Sequence, residues 1–181
     1  MEGLKGTKTE QNLKDAYNKE CNAAITYSIY ADQARKDGYN QMEDIFNETA
    51  GNERTHAQLW LKWLSPDDKV PGTLVNLEAA TAEEQFEGNE MYPEYAKTAK
   101  EEGFDAIAKE LAGVAAIEVS HAKRFNKLID NIKDNEVFER PEPVLWQCLK
   151  CGHLQLTKAA PEKCPVCQHP QAYFQIACEN Y

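Results

Sequence analysis

From residue 7 to residue 132, apolar positions recur at steps of three and four, the period of helices with one apolar face. The first such stripe reads Leu13, Tyr17, Glu20, Ala24, Tyr27, Ala31, Ala34, and the second Met42, Ile45, Thr49, Glu53, His56, Trp60, Trp63. The last reads Ile107, Leu111, Val114, Glu118, His121, Phe125, Leu128, Ile132. Turn chemistry interrupts the period at Asp37-Gly38, from Ser65-Pro66 through Pro71-Gly72, and at Glu102-Gly103. These breaks predict four helices, near residues 9–36, 40–64, 81–102 and 104–131, with Thr7/Glu10 and Thr81/Glu84 spaced as capping boxes. The middle break is the longest, which makes it the crossover between two helical hairpins. After Ile132 the text changes to KDNEVFERPEPVL, whose prolines predict an extended linker. The expected organisation is therefore a helical domain over 1–135, a linker over 136–145 and a small module over 146–181. A module this short falls below the roughly 40 residues at which an apolar core usually suffices, so it needs a staple.

Shifted by 65 residues, the helical region matches itself: TYSIYADQARKDGY falls on MYPEYAKTAKEEGF. Tyr27 meets Tyr92, Tyr30 meets Tyr95, Gly38 meets Gly103, Glu53 meets Glu118 and His56 meets His121. Duplication of one hairpin explains all of these and predicts pseudo-twofold symmetry about the Glu53 and Glu118 positions. The repeat is inexact at one point, since Glu20 falls on Gln85.

Composition excludes more than it selects. A net charge of −10 and a pI near 4.9 argue against nucleic acid and anionic membrane surfaces as partners. There is no apolar run long enough for a bilayer, and the polar opening MEGLKGTKTE does not resemble a secretory signal, so cytoplasm is the default compartment. Four of the six cysteines stand in two C-x-x-C pairs, which reads as metal rather than disulfide. Cys21 and Cys178 are left over as free thiols.

The acidic residues on the apolar stripes change the picture. Carboxylates converging on a bundle interior repel each other and lose hydration, at a cost of several kcal/mol per ion unless protons or cations neutralise them. A pair of divalent metals removes that conflict. Glu-x-x-His places a carboxylate and an imidazole one turn apart on the same helix face, and it occurs twice, as Glu53/His56 and Glu118/His121. Mixed oxygen and nitrogen donors suit iron or manganese. The third helix offers Glu83, Glu84, Glu87, Glu90 and Glu94, and periodicity does not choose among them.

In the C-terminal module, Cys148-Leu149-Lys150-Cys151 and Cys164-Pro165-Val166-Cys167 form two knuckles able to close a tetrahedral four-sulfur site. The pattern is specific for metal but not for which metal, because zinc ribbons share the spacing. Trp146, Tyr173 and Phe174 are placed to shield it, and Gly152 supplies a permissive backbone after the first knuckle. His153 and His169 read as surface residues.

The run Glu87-Gly88-Asn89-Glu90-Met91-Tyr92-Pro93, the paired Glu-x-x-His motifs and the trailing cysteine knuckles, in this order, resemble the rubrerythrins over nearly the whole chain, from about residue 4 to 179. The resemblance implies a mainly α fold: a ferritin-like four-helix bundle with a carboxylate-bridged di-iron site, followed by a small rubredoxin-like metal-knuckle domain with short β-strands. It implies that Glu20, Glu53, Glu87 and Glu118 hold the two irons, Glu53 and Glu118 bridging, with His121 a fixed ligand. The other iron would exchange between Glu90 when oxidised and His56 when reduced. Tyr27 and Tyr95 match tyrosines that hydrogen-bond the site carboxylates, and with Glu20, Glu53, Glu90 and His56 they make up the expected catalytic set. A third iron, with zinc as substitute, would sit in Cys148, Cys151, Cys164 and Cys167. Pro93 is expected to loosen the backbone near Glu90 by freeing a carbonyl one turn back. Gln168 departs from the family pattern, standing where a second glycine is usual. The implied activity is reduction of hydrogen peroxide to water in a head-to-tail homodimer, with electrons from rubredoxin or an NAD(P)H-dependent reductase relayed through Fe(Cys)4. Two rivals remain: a ferroxidase or iron-storage protein, and a zinc-stabilised binding module.

Overall fold

The computed structural model describes residues 3–178. The chain is mainly α, with helical hairpins followed by a small β module, and it divides at Gly72–Thr73 into two compact units. The first unit pairs α1 (Lys8–Lys36) with α2 (Asn40–Leu64). Thr7 caps α1 as expected, its hydroxyl accepting from the Glu10 N–H at 3.1 Å, while the Glu10 carboxylate accepts from the Gly6 N–H.

The second unit begins with α3 (Thr73–Phe86), which passes through a π-helical turn (Glu87–Met91) into α4 (Tyr92–Glu101), and α5 (Asp105–Lys133) returns alongside. The third helix thus starts eight residues before the expected position. Thr81 is no cap: its hydroxyl donates to the Leu77 carbonyl at 2.8 Å inside α3. The sequence signal misled because Thr-x-x-Glu is also an ordinary mid-helix spacing. The π-turn has a local cause in Pro93, which has no N–H to donate back one turn, and the Tyr92 N–H reaches the Glu87 carbonyl five residues away.

The hydrogen bonds bear out the duplication. At the end of α1, the N–H groups of Asp37, Gly38 and Tyr39 reach the carbonyls of Gln33, Arg35 and Ala34. At the end of α4, Glu102, Gly103 and Phe104 reach Thr98, Lys100 and Ala99, the same pattern 65 residues on.

Within each hairpin most of the buried apolar residues are alanines. They are Ala24, Ala31 and Ala34 against Ala50 and Ala57 in the first unit, and Ala99 with Ala108, Ala115, Ala122 and Ile129 in the second. Those of α5 recur every seven residues, a seam that lets backbones approach closely. The larger stripe residues expected to be interior are less covered: Met42, Ile45, Ile107 and Leu128 are each 43–55 % exposed. Alanines thus line the inside of both hairpins, while Met42, Ile45, Ile107 and Leu128 lie off that seam.

The C-terminal module is a three-stranded antiparallel sheet in the order β2-β1-β3, from β1 (Glu139–Cys148), β2 (Leu154–Ala159) and β3 (Phe174–Ile176). Residues 139–145, in the stretch expected to be a linker, are already part of β1, and Pro141 and Pro143 fall where the register with β2 shifts between Glu139 and Val144. The module's core is Trp146, Cys148, Ala160, Cys164 and Phe174. The Trp146 indole N–H, fully buried, donates to the Thr157 carbonyl at 3.0 Å.

One glycine is held by close approach. A Cβ on Gly88, in the π-turn, would meet the Val119 backbone nitrogen at 2.9 Å and the Ala115 carbonyl oxygen at 3.1 Å. Gly88→Ala is expected to destabilise the chain by about 1–3 kcal/mol through this overpacking. Gly113→Ala, whose methyl group meets nothing within 4 Å on α5, should be neutral or stabilising by about 0.5 kcal/mol. Urea unfolding followed by circular dichroism measures the contrast.

Candidate metal centres

Three groups of side chains bring metal donors together among the described residues: Glu20, Glu53 and His56; Glu84, Glu118 and His121; and the four knuckle cysteines. Within each group the donor atoms lie within 4.8 Å of one another. The first group is built on α1 and α2. His56 Nδ1 lies 2.9 Å from Glu53 Oε2 and 4.0 Å from Glu20 Oε2. The His56 imidazole, with a further hydrogen bond from Glu20, holds the Glu53 carboxyl below the usual carboxylate range.

The second group is built on α3 and α5 and repeats the first. His121 Nδ1 lies 2.7 Å from Glu118 Oε2 and 3.2 Å from Glu84 Oε2. Ligands at about 2.1 Å from one octahedral ion stand roughly 3 Å apart, so both spacings fit donors shared by a metal. Glu84 was one of five third-helix candidates, and sequence period alone could not select it because the π-turn alters the period below Tyr92. Glu87 and Glu90, expected as that helix's ligands, both lie in the π-turn outside the two groups. Burial pushes the Glu87 carboxyl up, and the charges of Glu118, Glu83 and Glu84 push it further. Tyr27 packs its ring against Tyr30 and Phe46, at centroid distances of 6.3 and 6.2 Å, and Tyr95 packs edge-on to Tyr92 at 6.4 Å.

The third group is a cage. Cys148 and Cys167 sulfurs are 3.7 Å apart and those of Cys151 and Cys164 3.6 Å, close to the roughly 3.8 Å edge of a tetrahedron with metal–sulfur bonds of about 2.3 Å. The two knuckles are near copies. The Cys148 N–H donates to the His153 carbonyl at 2.9 Å and the Cys164 N–H to the His169 carbonyl at 2.8 Å. Gly152 and Gln168 close them by donating to the Cys148 and Cys164 carbonyls, both at positive φ, +79° and +60°. Burial opposes ionisation of Cys164, but the N–H groups of Cys167 and Val166 and the neighbouring thiols outweigh it and bring that thiol down to about 6. For Cys167 the His169 N–H favours the thiolate, yet burial and the thiols of Cys151, Cys164 and Cys148 push it up to about 12. The cage thus favours ionisation of one thiol and opposes that of another, and a metal binds such sulfurs as thiolates. His153 and His169 are half-buried and bond to Gln155 and the Cys167 carbonyl, not to the cage sulfurs. Cys21 and Cys178 are free thiols.

The rubrerythrin family model matches residues 11–129 and again 75–148, and the model of the rubrerythrin rubredoxin-like domain matches 146–175. The chain belongs to the rubrerythrin family. It is 46% identical over 195 aligned residues to rubrerythrin-1 of Clostridium acetobutylicum, covering 100% of both chains. It is 40% identical over 191 to rubrerythrin of Nitratidesulfovibrio vulgaris, again covering 100% of both. Among solved structures, the mixed-valence state of nigerythrin aligns over 98% of this chain and 91% of its own, at 26% identity and a TM-score of 0.35. With these donor sets, the chain is a di-iron oxidative-stress oxidoreductase with a four-cysteine iron centre.

Gln168 bears a cost that its glycine counterpart Gly152 does not. Gln168→Gly is expected to stabilise the cysteine module by about 0.5–1 kcal/mol, the penalty of a side chain in the left-handed region less the greater freedom of unfolded glycine. Loss of the metal–thiolate absorbance in guanidinium chloride measures it.

Proposed function

We propose that this rubrerythrin is a peroxidase that reduces hydrogen peroxide to two waters with two electrons and two protons, and that the electrons enter through the four-cysteine iron. The observation carrying this reading is that one chain holds two equivalent Glu, Glu-x-x-His triads and a tetrahedral thiolate cage. The family's di-iron chemistry is assigned to these carboxylates and imidazoles. Bound there, a ferrous pair supplies both electrons that peroxide cleavage needs without releasing a radical.

The protein's part is charge and proton management. Glu53 and Glu118, each hydrogen-bonded to an imidazole one turn on, are the proposed bridging carboxylates. Burial and the neighbouring carboxylates raise the proton affinity of Glu87, the resemblance's fourth iron-holding carboxylate, and a bound cation would offset both. Glu90 and His56 would exchange on one iron as the charge of the pair changes, and the wider hydrogen-bond spacing of the π-turn gives Glu90 the backbone freedom for it. Tyr27 and Tyr95 would orient carboxylates. In the cage, four thiolates hold either oxidation state with little rearrangement, which suits one-electron delivery. We further propose a cytoplasmic head-to-tail homodimer with rubredoxin or an NAD(P)H-dependent reductase as donor. No helix among the described residues is long and apolar enough to cross a membrane.

Iron and zinc analysis with a visible spectrum, followed by steady-state turnover of peroxide against oxygen with reduced rubredoxin, tests the reading. The expected outcome is three irons per chain and a marked preference for peroxide. Colourless protein with zinc in the cage would favour the binding module, and faster turnover of oxygen with iron accumulation would favour the ferroxidase. Cys148→Ser is expected to abolish donor-driven turnover while leaving peroxide oxidation of the chemically reduced helical centre essentially unchanged in single-turnover stopped flow.

A further inference from the structure

We infer that Arg140 is a positioning residue for electron delivery: its guanidinium clamps the first strand of the cysteine module to the end of α5, so that the cage moves with α5 as one piece. The consequence for turnover rests on the reading that electrons enter through the four-cysteine iron. The clamp itself rests on geometry and charge.

The segment expected to be a free tether is tied at both ends. α5 ends at Lys133 and β1 begins at Glu139, which leaves residues 134–138 between them, and both elements belong to the second compact unit. On the helical side, the Glu136 N–H reaches the Asn131 carbonyl at 2.7 Å and the Asn135 N–H that of Ile132 at 3.3 Å, with Asn135 at φ +59° turning the chain back over the last helical turn. On the module side, the Phe138 carbonyl accepts from the Ala160 N–H at 2.8 Å and Glu139 pairs with Ala159. The Phe138 side chain packs against the core that contains Cys148 and Cys164, so the tie reaches the cage itself.

Arg140 spans the two sides. It stands on β1, yet its Nη1 donates to the Glu136 carboxylate at 2.9 Å and lies 3.5 Å from Asn131 Oδ1 on α5. The side chain is 18 % exposed, and its Nε is buried with no acceptor among the described residues. A buried N–H without a partner is costly, and the joint carries that cost to keep a cation in place. Charge explains what the cation does there. Arg140 is the one Lys or Arg between Lys133 and Lys150, in a stretch that carries Asp134, Glu136, Glu139 and Glu142. Without it these carboxylates repel one another with no cation of their own segment to hold them. A lysine would keep the charge, but as a point on a flexible stem rather than a planar, pre-oriented group. Delivery moves one electron from a ferrous cage iron, which becomes ferric, to a helical ferric iron, which becomes ferrous. No bond is made or broken, so position is what the protein supplies.

The test uses the full chain loaded with zinc, which occupies the cage thiols, and nitroxide labels placed by Lys127→Cys on α5 and Gln175→Cys on β3 in a Cys21→Ser, Cys178→Ser background. Labelled chain is diluted with unlabelled chain, and pulsed electron paramagnetic resonance reads the distance distribution within one chain. A single narrow distance is expected with Arg140 present. Arg140→Gln should broaden it, high salt should narrow it again by screening the carboxylates, and Arg140→Lys should give an intermediate width. An unchanged distribution in Arg140→Gln would overturn the clamp, whatever the activity. Should Arg140→Gln release the cage zinc, Glu136→Gln decides instead, since it keeps the guanidinium and removes its counter-charge: broadening supports the clamp, and an unchanged distribution overturns it. In the iron-loaded chain without labels, Arg140→Gln is expected to lower donor-driven turnover about tenfold or more, with the cage absorbance and single-turnover oxidation of the chemically reduced helical centre unchanged. If Cys148→Ser abolishes donor-driven turnover but Arg140→Gln leaves it at the wild-type rate, the positioning role is overturned. If Cys148→Ser leaves that turnover intact, the relay reading fails, and the role of Arg140 in delivery with it.

Discussion

Uncompensated carboxylate charge on the helix faces is the constraint around which the helical part of this chain is built. Glu53 and Glu118 are less than one-fifth exposed, each pressed against an imidazole on its own helix. Hydrogen bonds from His56 and Glu20 lower the proton affinity of Glu53, while burial and neighbouring carboxylates raise that of Glu87. Divalent ions would offset that charge.

The packing of the hairpins rests on alanine, and the large residues Met42, Ile45, Ile107 and Leu128 lie outside it. Alanine buries little area per residue, so close backbone approach and the regularity of the seam have to substitute for bulk. Gly88 is the extreme of the same solution. It brings the π-turn into contact with α5 where any side chain would hold it off, and it does so at the point where carboxylates must be placed. Strained or irregular backbone concentrates at such sites because only there does chemistry repay it.

The cysteine module solves its size problem differently. Trp146 and Phe174 give it a small core, and two of the four cage cysteines are buried in that same core, so metal and apolar packing are one structure. The knuckles repeat their hydrogen bonds even though one is closed by glycine and the other by Gln168. Backbone requirement therefore overrode side-chain preference, with the positive φ retained by a residue that tolerates it poorly.

The four-cysteine cage, the paired Glu-x-x-His motifs, the hairpin repeat and the order of the elements were all legible in the amino-acid text, because each depends on local spacing: one helical turn, one knuckle, one capping glycine. What local spacing does not carry is where an irregularity begins. The start of the third helix at Thr73, the strand character of residues 139–145 and the choice of Glu84 beside His121 each depend on contacts with a distant segment. Periodicity counts 3.6 residues per turn throughout, and a π-turn seated on a neighbouring helix by Gly88 breaks that count without altering composition. Pro93 marks the irregularity in the sequence, but its seat is tertiary, since the close approach of Gly88 to Val119 exists only when two helices far apart in sequence are brought together.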